Sequence, residues 1–249
     1  MKIAVCIKRV PDTETRIKIG ADGKSIDESG VKFILNPFDE YAVEEALKLQ
    51  EQAGGEVVVV CLGTEASQET IRTALAMGAD SGVLLKVPSL PLDPLVVARA
   101  LAAELEQGSF DIILFGKLAI DDCGQAVGTM VAELLGLPSV SAITRLEVTD
   151  NRATAQREVE GALEIVEFSL PAVVTAEKGL NEPRYPALRG IMLAKKKPLQ
   201  IKDVDLEQSG IEVLELVLPS ERKAGRIVGE GPDAVPALVD ALRNEAKVI

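Results

Sequence analysis

Short, continuously apolar runs alternate with longer stretches in which apolar residues recur every three or four positions, and this rhythm governs the chain as far as Leu135. Lys2 to Ile7, Glu56 to Leu62, Val83 to Val87 and Asp111 to Phe115 are rich in aliphatic residues, as strands buried on both faces require. Between the first two, Ala42, Val43, Ala46, Leu47 and Gln50 mark one face of a helix, with Asn36 as its cap and Pro37 in the first helical position. Glu44 stands four residues before Lys48 on that helix. A second helix follows Gly63 and Thr64, carries Ile71, Ala74 and Leu75, and stops near Gly78; a third runs from Asp93 and Pro94 through Glu106. Strand, helix and strand in succession predict a parallel sheet covered on both faces. Arg16 to Leu35 interrupts the scheme with two short alternating segments around Ala21-Asp22-Gly23, and predicts a hairpin excursion before the first helix.

Beyond Pro138 the period changes to two. Ile143 to Val148, Ala153 to Val159 and Leu163 to Leu170 alternate apolar with polar groups, and Asp150-Asn151 and Glu160-Gly161 supply turns. They predict an antiparallel addition at the sheet edge. Ala172 to Ala176 returns to a buried strand, and Ile211 to Leu218 reads as another alternating one. Glu221 to Gly231 is charged and contains glycine, and Asp233 to Ala246 carries Val235, Leu238, Val239 and Leu242 as one apolar stripe. A terminal helix on a flexible link can pack on its own domain or reach a partner chain. The expectation is an α/β fold with a doubly wound, mostly parallel sheet over residues 1–220, followed by a linker and C-terminal helix over 221–249 that pack on a partner subunit.

One segment fits neither period. From Asn181 to Pro198 the chain reads Asn-Glu-Pro-Arg-Tyr-Pro-Ala-Leu-Arg-Gly-Ile-Met-Leu-Ala-Lys-Lys-Lys-Pro. Pro183 and Pro186 lack the donors a ladder needs, and Leu188, Ile191, Met192 and Leu193 precede three lysines. A loop over 179–198 carrying large apolar groups beside charge is a candidate docking element; an ordered connection with its leucines packed on its own domain is the alternative.

Composition narrows the chemistry. The 249 residues are 47% apolar and only 3% aromatic, enough for one large aliphatic core. A net charge of −12 opposes binding to nucleic acid or an anionic membrane, both of which demand excess Lys and Arg. No apolar run is long enough to span a bilayer, and the strand pattern starts at Lys2 with no leader before it, so a cytosolic chain is expected. Cys6, Cys61 and Cys123 have no metal-like spacing and are expected as reduced thiols. The chain has no histidine, which removes Ser-His and Cys-His nucleophile pairs, His-liganded metals and the usual neutral-pH proton shuttle. No carboxylate pair stands out either, so neither catalytic residues nor a metal site is expected.

The strand Asp111 to Phe115 delivers the chain to Gly116-Lys117-Leu118-Ala119-Ile120-Asp121-Asp122-Cys123-Gly124-Gln125-Ala126-Val127-Gly128-Thr129, after which Met130, Val131, Leu134 and Leu135 share a helical face. A strand, a loop of small residues and a helix start form a phosphate site, because unpaired first-turn N–H groups and the positive dipole end face the loop. Neither the Gly-x-Gly-x-x-Gly nor the Gly-Lys-Ser/Thr pattern is present, and many such loops hold glycine only to turn. Cys6, Asn36 and Leu62, at neighbouring strand ends, could line the same crevice; their plain readings are a helix cap for Asn36 and core for the other two.

From Met1 to Lys197 the chain resembles the β subunit of electron transfer flavoprotein. The resemblance rests on Val5-Cys6-Ile7-Lys8-Arg9-Val10, Asn36-Pro37-Phe38, Ala42-Val43-Glu44-Glu45-Ala46, Gln68-Glu69-Thr70-Ile71-Arg72-Thr73-Ala74-Leu75-Ala76-Met77-Gly78-Ala79-Asp80 and Asn181-Glu182-Pro183-Arg184-Tyr185. It implies a fold of adenine nucleotide alpha hydrolase type and an obligate heterodimer whose α subunit holds most of the FAD site. It implies AMP against Cys6, Asn36, Pro37, Phe38, Asp39, Leu62 and the loop from Gly116 to Val127. The family loop often reads Asn-Gln-Thr-Gly where this chain has Gln125-Ala126-Val127-Gly128, which removes side-chain contacts but leaves backbone N–H groups. Leu188, with Ile191 and Met192, corresponds to an apolar anchor for acyl-CoA and related dehydrogenases, and Lys195, Lys196 and Lys197 to its basic flank. Glu158 and Arg184 resemble positions that engage the partner's flavin domain. The implied function is a subunit of a redox shuttle feeding an electron transfer flavoprotein:quinone oxidoreductase. The alternatives are a bifurcating form with a second FAD in place of AMP, against which Phe38 speaks, and outside the family a stand-alone adenine-nucleotide sensor.

Overall fold

The computed structural model describes residues 1–220 and 224–249. Along the chain, β1 (Lys2–Cys6) leads through β2 (Arg9–Pro11) and β3 (Phe33–Leu35) to α1 (Pro37–Ala53) and β4 (Glu56–Gly63). Next come α2 (Ser67–Met77), β5 (Ser81–Lys86), α3 (Pro94–Glu106), β6 (Ile112–Gly116) and α4 (Val127–Leu135). Then follow β7 (Ser139–Thr149), β8 (Arg152–Val159), β9 (Ala162–Ser169), β10 (Ala172–Ala176), α5 (Leu188–Ala194), β11 (Leu199–Asp203) and α6 (Val235–Asp240). Nine strands form one sheet in the order β11-β5-β4-β1-β6-β10-β7-β8-β9. The pairs from β11 across to β7 are parallel, and β7-β8-β9 is the antiparallel addition expected from the period-two segments.

The alternating sides of β1 feed two separate cores. Ile3, Val5 and Ile7 pack with Val43 and Leu47 of α1 and with Ile71 and Leu75 of α2, whereas Ala4 and Cys6 pack with Leu101 of α3 and Val131 of α4. This two-sided cover makes the sheet doubly wound and explains why its central strands are apolar throughout. From β1 the chain winds outward to β4 and β5, then crosses back to β6 on the other side of β1. The reversal leaves a crevice at the carboxyl ends of β1 and β6, where open α/β sheets bind ligands.

Two expectations need correction and two hold in altered form. Ile211–Leu218 forms no strand: Gly210 donates to Asp93 Oδ2 at 2.8 Å, Leu216 donates to the Gly23 carbonyl at 2.8 Å, and the backbone between follows no ladder. Alternation defines which side chains share a face, but a strand also needs a run of backbone bonds to a neighbour, and this segment has single bonds to Asp93 and Gly23 instead. The hairpin expected around Ala21-Asp22-Gly23 is present in short form, with an antiparallel bridge between Ile19 and Ile26 and N–H groups of Gly20 and Asp27 donating to the Ser25 and Lys18 carbonyls, while β3 pairs with β2 beside it. The segment over 181–198, expected without helical period, makes the short helix α5. The terminal helix expected over Asp233 to Ala246 is present as one unbroken run, a 3₁₀ turn at Pro232–Ala234, then α6, then a π turn at Ala241–Ala246, and Val235, Leu238 and Val239 of its stripe stay exposed. Of the expected linker, Glu221, Arg222 and Lys223 lie outside the described residues. Among those described, no helix is long and apolar enough to cross a membrane.

Candidate functional site

A cavity of about 300 Å³ opens at the reversal between β1 and β6. Cys6 lines it from β1 and Ile7 and Lys8 from the residues just after, Phe115 and Gly116 from β6, Leu62 from β4, and Lys117, Leu118, Ala119, Asp122, Gly124, Gln125 and Ala126 from the loop. Val127 and Gly128 bring the first turn of α4 to its wall. Ala126, the residue that caps α4, offers no side-chain hydrogen bond, so the first-turn amides carry the dipole's positive end toward the cavity without a side-chain acceptor at the cap. A Cβ at Gly128 would stand 2.9 Å from Thr175 Cγ2, so glycine is what lets this turn sit close on β10.

The floor is organised by two buried polar residues. Asn36 is 1% exposed, and although it holds the cap position of α1 its side chain makes no capping bond. Its amide donates to Asp39 Oδ1 at 2.9 Å and to the Leu118 carbonyl at 2.8 Å, and its oxygen accepts from Ile120 N–H at 3.2 Å. The helix-cap expectation thus gives way to a tie between α1 and the loop. Asp39 accepts from the N–H of Lys8 at 2.7 Å and of Gly116 at 3.1 Å, joining the two strand ends that flank the crevice. Burial pushes its carboxyl up to about 7, against the pull of those hydrogen bonds and of Lys8.

Lys8 spans the mouth, with Nζ 2.9 Å from Asp121 Oδ1 and 2.8 Å from Asp122 Oδ2. Burial disfavours its charge, yet the two carboxylates outweigh that and hold its pKa above the ordinary lysine value. Burial likewise works against the charge of Asp122, but Lys8 and the Gly124 N–H, 2.9 Å away, keep its carboxyl below the ordinary range. Burial, then the nearby Asp39 charge, push the Cys6 thiol well up, so it packs as a small hydrophobe rather than a nucleophile. The far wall is apolar: Leu90, Pro91 and Leu92 after β5, and Val97 and Leu101 on α3.

The structure therefore gathers Cys6, Asp39, Leu62, Gly116, Lys117, Leu118, Ala119, Asp122, Gly124, Gln125, Ala126 and Val127 on one cavity. Asn36, Ile120 and Asp121 support it from behind through the bonds above, and Phe38 backs Gly116, where a Cβ would collide with Phe38 and Asp39. Pro37 and Cys123 do not line it. Sequence reading missed Lys8, although its place directly after β1 was a usable signal, and missed the wall at Leu90–Leu92, which carries no motif.

On the opposite core layer, α5 lies against α2. Leu188 is 83% and Met192 71% exposed, and Ile191, Leu193, Lys195 and Lys196 are exposed beside them. The alternative in which these leucines pack on their own domain is thereby excluded. Lys197 is not part of the basic flank: its ammonium donates to the carbonyls of Leu75, Gly78 and Ala79 at 3.0, 2.8 and 2.6 Å, closing the end of α2. Arg184 turns inward as well, with Nε and Nη2 on Glu44 at 2.8 and 2.9 Å and Nη1 on Glu51 at 2.6 Å. Its guanidinium is thus committed to α1, while Glu158 stands exposed on β8.

Comparison with known proteins resolves the family. The family model for the electron transfer flavoprotein domain matches residues 24–207. "Electron transfer flavoprotein subunit beta" of Bacillus subtilis (strain 168) is 42% identical over 259 aligned positions, covering all of both chains. The chain belongs to the family of electron transfer flavoprotein beta subunits. The beta subunit of the same name from Bradyrhizobium diazoefficiens is 43% identical over the full length of both chains, and that of Homo sapiens 42% identical over 96% of each. Membership in the electron transfer flavoprotein family puts the chain among flavin-associated electron carriers rather than in a family of catalysts.

Proposed function

We propose that this chain is the nucleotide-binding and docking half of a heterodimeric, FAD-containing electron carrier. A flavin-bearing α subunit completes it, and the flavin, when bound, supplies the one- and two-electron chemistry. The β chain holds AMP as a structural ligand, receives acyl-CoA and related dehydrogenases on α5, and presents the complex to a quinone oxidoreductase on the membrane side of fatty acid β-oxidation. In a bacterial cell that work is cytoplasmic.

The observation that carries this reading is the crevice itself. Backbone N–H groups of α4, glycines at 116 and 128 and an apolar far wall suit a phosphate at one end and a flat base at the other. Because these donors are backbone atoms, the loss of side-chain hydroxyl and amide at Ala126 and Val127 leaves the anion site standing. A cavity near 300 Å³ lies at the small end of the range for ligand pockets, about 300 to 1,000 Å³, which favours a mononucleotide over a second FAD.

The native complex should release one FAD and one AMP per heterodimer on acid treatment, read by chromatography against standards. Two flavins per heterodimer would make it the bifurcating form, and a colourless lone chain would end the carrier reading.

A further inference from the structure

The loop from Lys117 to Ala126 closes one backbone bond of its own, from the Cys123 N–H to the Ala119 carbonyl at 2.8 Å, and owes the rest of its shape to side chains. Cys123 and Gln125 stand at φ of 53° and 51°, a left-handed conformation that side-chain-bearing residues rarely adopt. The first half of the loop is tied down by Asn36, through the Leu118 carbonyl and the Ile120 N–H. The second half hangs on Asp122, which accepts the Gly124 N–H, and Asp122 is itself gripped, together with Asp121, by the Lys8 ammonium. Lys8 has a firm base, because its own N–H is donated to Asp39, which also takes the Gly116 N–H where the loop begins. The Lys8, Asp121 and Asp122 side chains are 24%, 28% and 50% exposed, so the cluster is partly shielded from solvent. Without the ammonium, two successive carboxylates would stand uncompensated beside the helix end that receives an anion, opposing it by like charge.

We propose that Lys8 is a positioning residue for the nucleotide: by clamping Asp121 and Asp122 it holds the α4 approach loop against the crevice and offsets part of the negative charge the two carboxylates place next to the phosphate. The inference rests on the adenylate reading above and adds to it a side chain that acts through the loop.

The test uses the heterodimer co-expressed with its flavin-bearing subunit, in wild-type, Lys8→Met and Lys8→Arg forms, each loaded with labelled AMP and chased with unlabelled AMP. Lys8→Met should release AMP about tenfold faster, the effect of losing roughly one charge-assisted contact, while Lys8→Arg stays within about twofold of wild type. Hydrogen exchange should quicken over residues 117–126 in Lys8→Met and stay unchanged in β4 and β5. Release at the wild-type rate, or exchange that quickens equally in β4 and β5, overturns the clamp. If Lys8→Met does not fold, the wild type decides: release must speed up as salt rises from about 0.05 to about 0.5 M, and a flat response overturns the proposal. A wild-type complex without AMP overturns the adenylate reading itself, a result distinct from AMP-loaded wild type beside an indifferent Lys8→Met.

Discussion

A single carboxylate, Asp39, accepts one N–H from the end of β1 and one from the end of β6, and takes a third hydrogen bond from Asn36. Such donors favour the charged form, while burial disfavours it more strongly and sets the group near pH 7. Because the folded pKa of about 7 lies above the ordinary value of 3.8, the native state retains a proton that the unfolded chain has lost. Stability contributed by this group is therefore full at low pH and falls as pH rises from about 4 to about 7, levelling above that. Asp39→Asn should remove this slope: wild type loses stability relative to the variant as pH is raised between about 4 and about 7. Denaturant midpoints measured across that range would decide, and parallel curves would contradict the assignment. Asn36 was legible as a candidate because it stands at a strand end beside the crevice, and Asp39 through the family resemblance; that their side chains serve the loop and strand ends rather than the helix could be seen only once residues 82 and 77 positions away were brought beside them.

At the scale of elements, α5 shows how a short helix with little intrinsic stability is held in place. A seven-residue helix gains little from its own hydrogen bonds and depends on tertiary contact. Gly190 supplies one such contact, since a Cβ there would stand 2.5 Å from the Ala76 carbonyl oxygen. Arg72 supplies another, donating to the carbonyls of Ala194 and Lys197, and Lys197 returns the tie by closing the end of α2. Burial lowers the Lys197 pKa, as expected of an ammonium drawn from water onto carbonyls. Lys197→Met keeps the stem and deletes those bonds, and should cost about 1 to 2 kcal/mol, visible as a lower urea midpoint. Lys196→Met, on an exposed neighbour, should shift the midpoint by less than about 0.5 kcal/mol. Equal effects would place Lys197 back in the basic flank. The sequence hid this helix because the flanking prolines and Gly190 resemble loop punctuation; contact with α2, not local period, makes it helical.

Across the described residues, two stretches of exposed apolar surface stand beside smaller ones such as Leu163 and Ile165 on β9: one around α5, and one along the C-terminal arm at Ile211, Leu214, Val217, Leu218, Ile227 and Val235. The first is compact and carries Leu188, so Leu188→Ala should slow reduction by a dehydrogenase about ten- to a hundredfold, from roughly 1.5 to 3 kcal/mol of lost burial, with flavin content unchanged. Stopped-flow traces that match wild type would remove the anchor. The second is extended and makes few anchoring bonds to its own domain, such as those at Asp93 and Gly23. Limited proteolysis of the separated chain should therefore cut within 206–249, and the assembled heterodimer should resist at the same sites; equal cleavage in both would show that the arm does not pack on the partner. The sequence by itself determined the layered α/β class, the antiparallel edge and the strand–loop–helix order at Gly116, because buried strands and amphipathic helices write their periods locally. The tertiary structure alone decided that β6 crosses to the far side of β1 and opens the crevice there, that Lys8 and Asp39 meet the loop, that Lys197 faces inward and that Ile211–Leu218 finds no ladder. Each of those outcomes depends on which distant backbone edge or carbonyl lies within reach, and period and propensity carry no record of that.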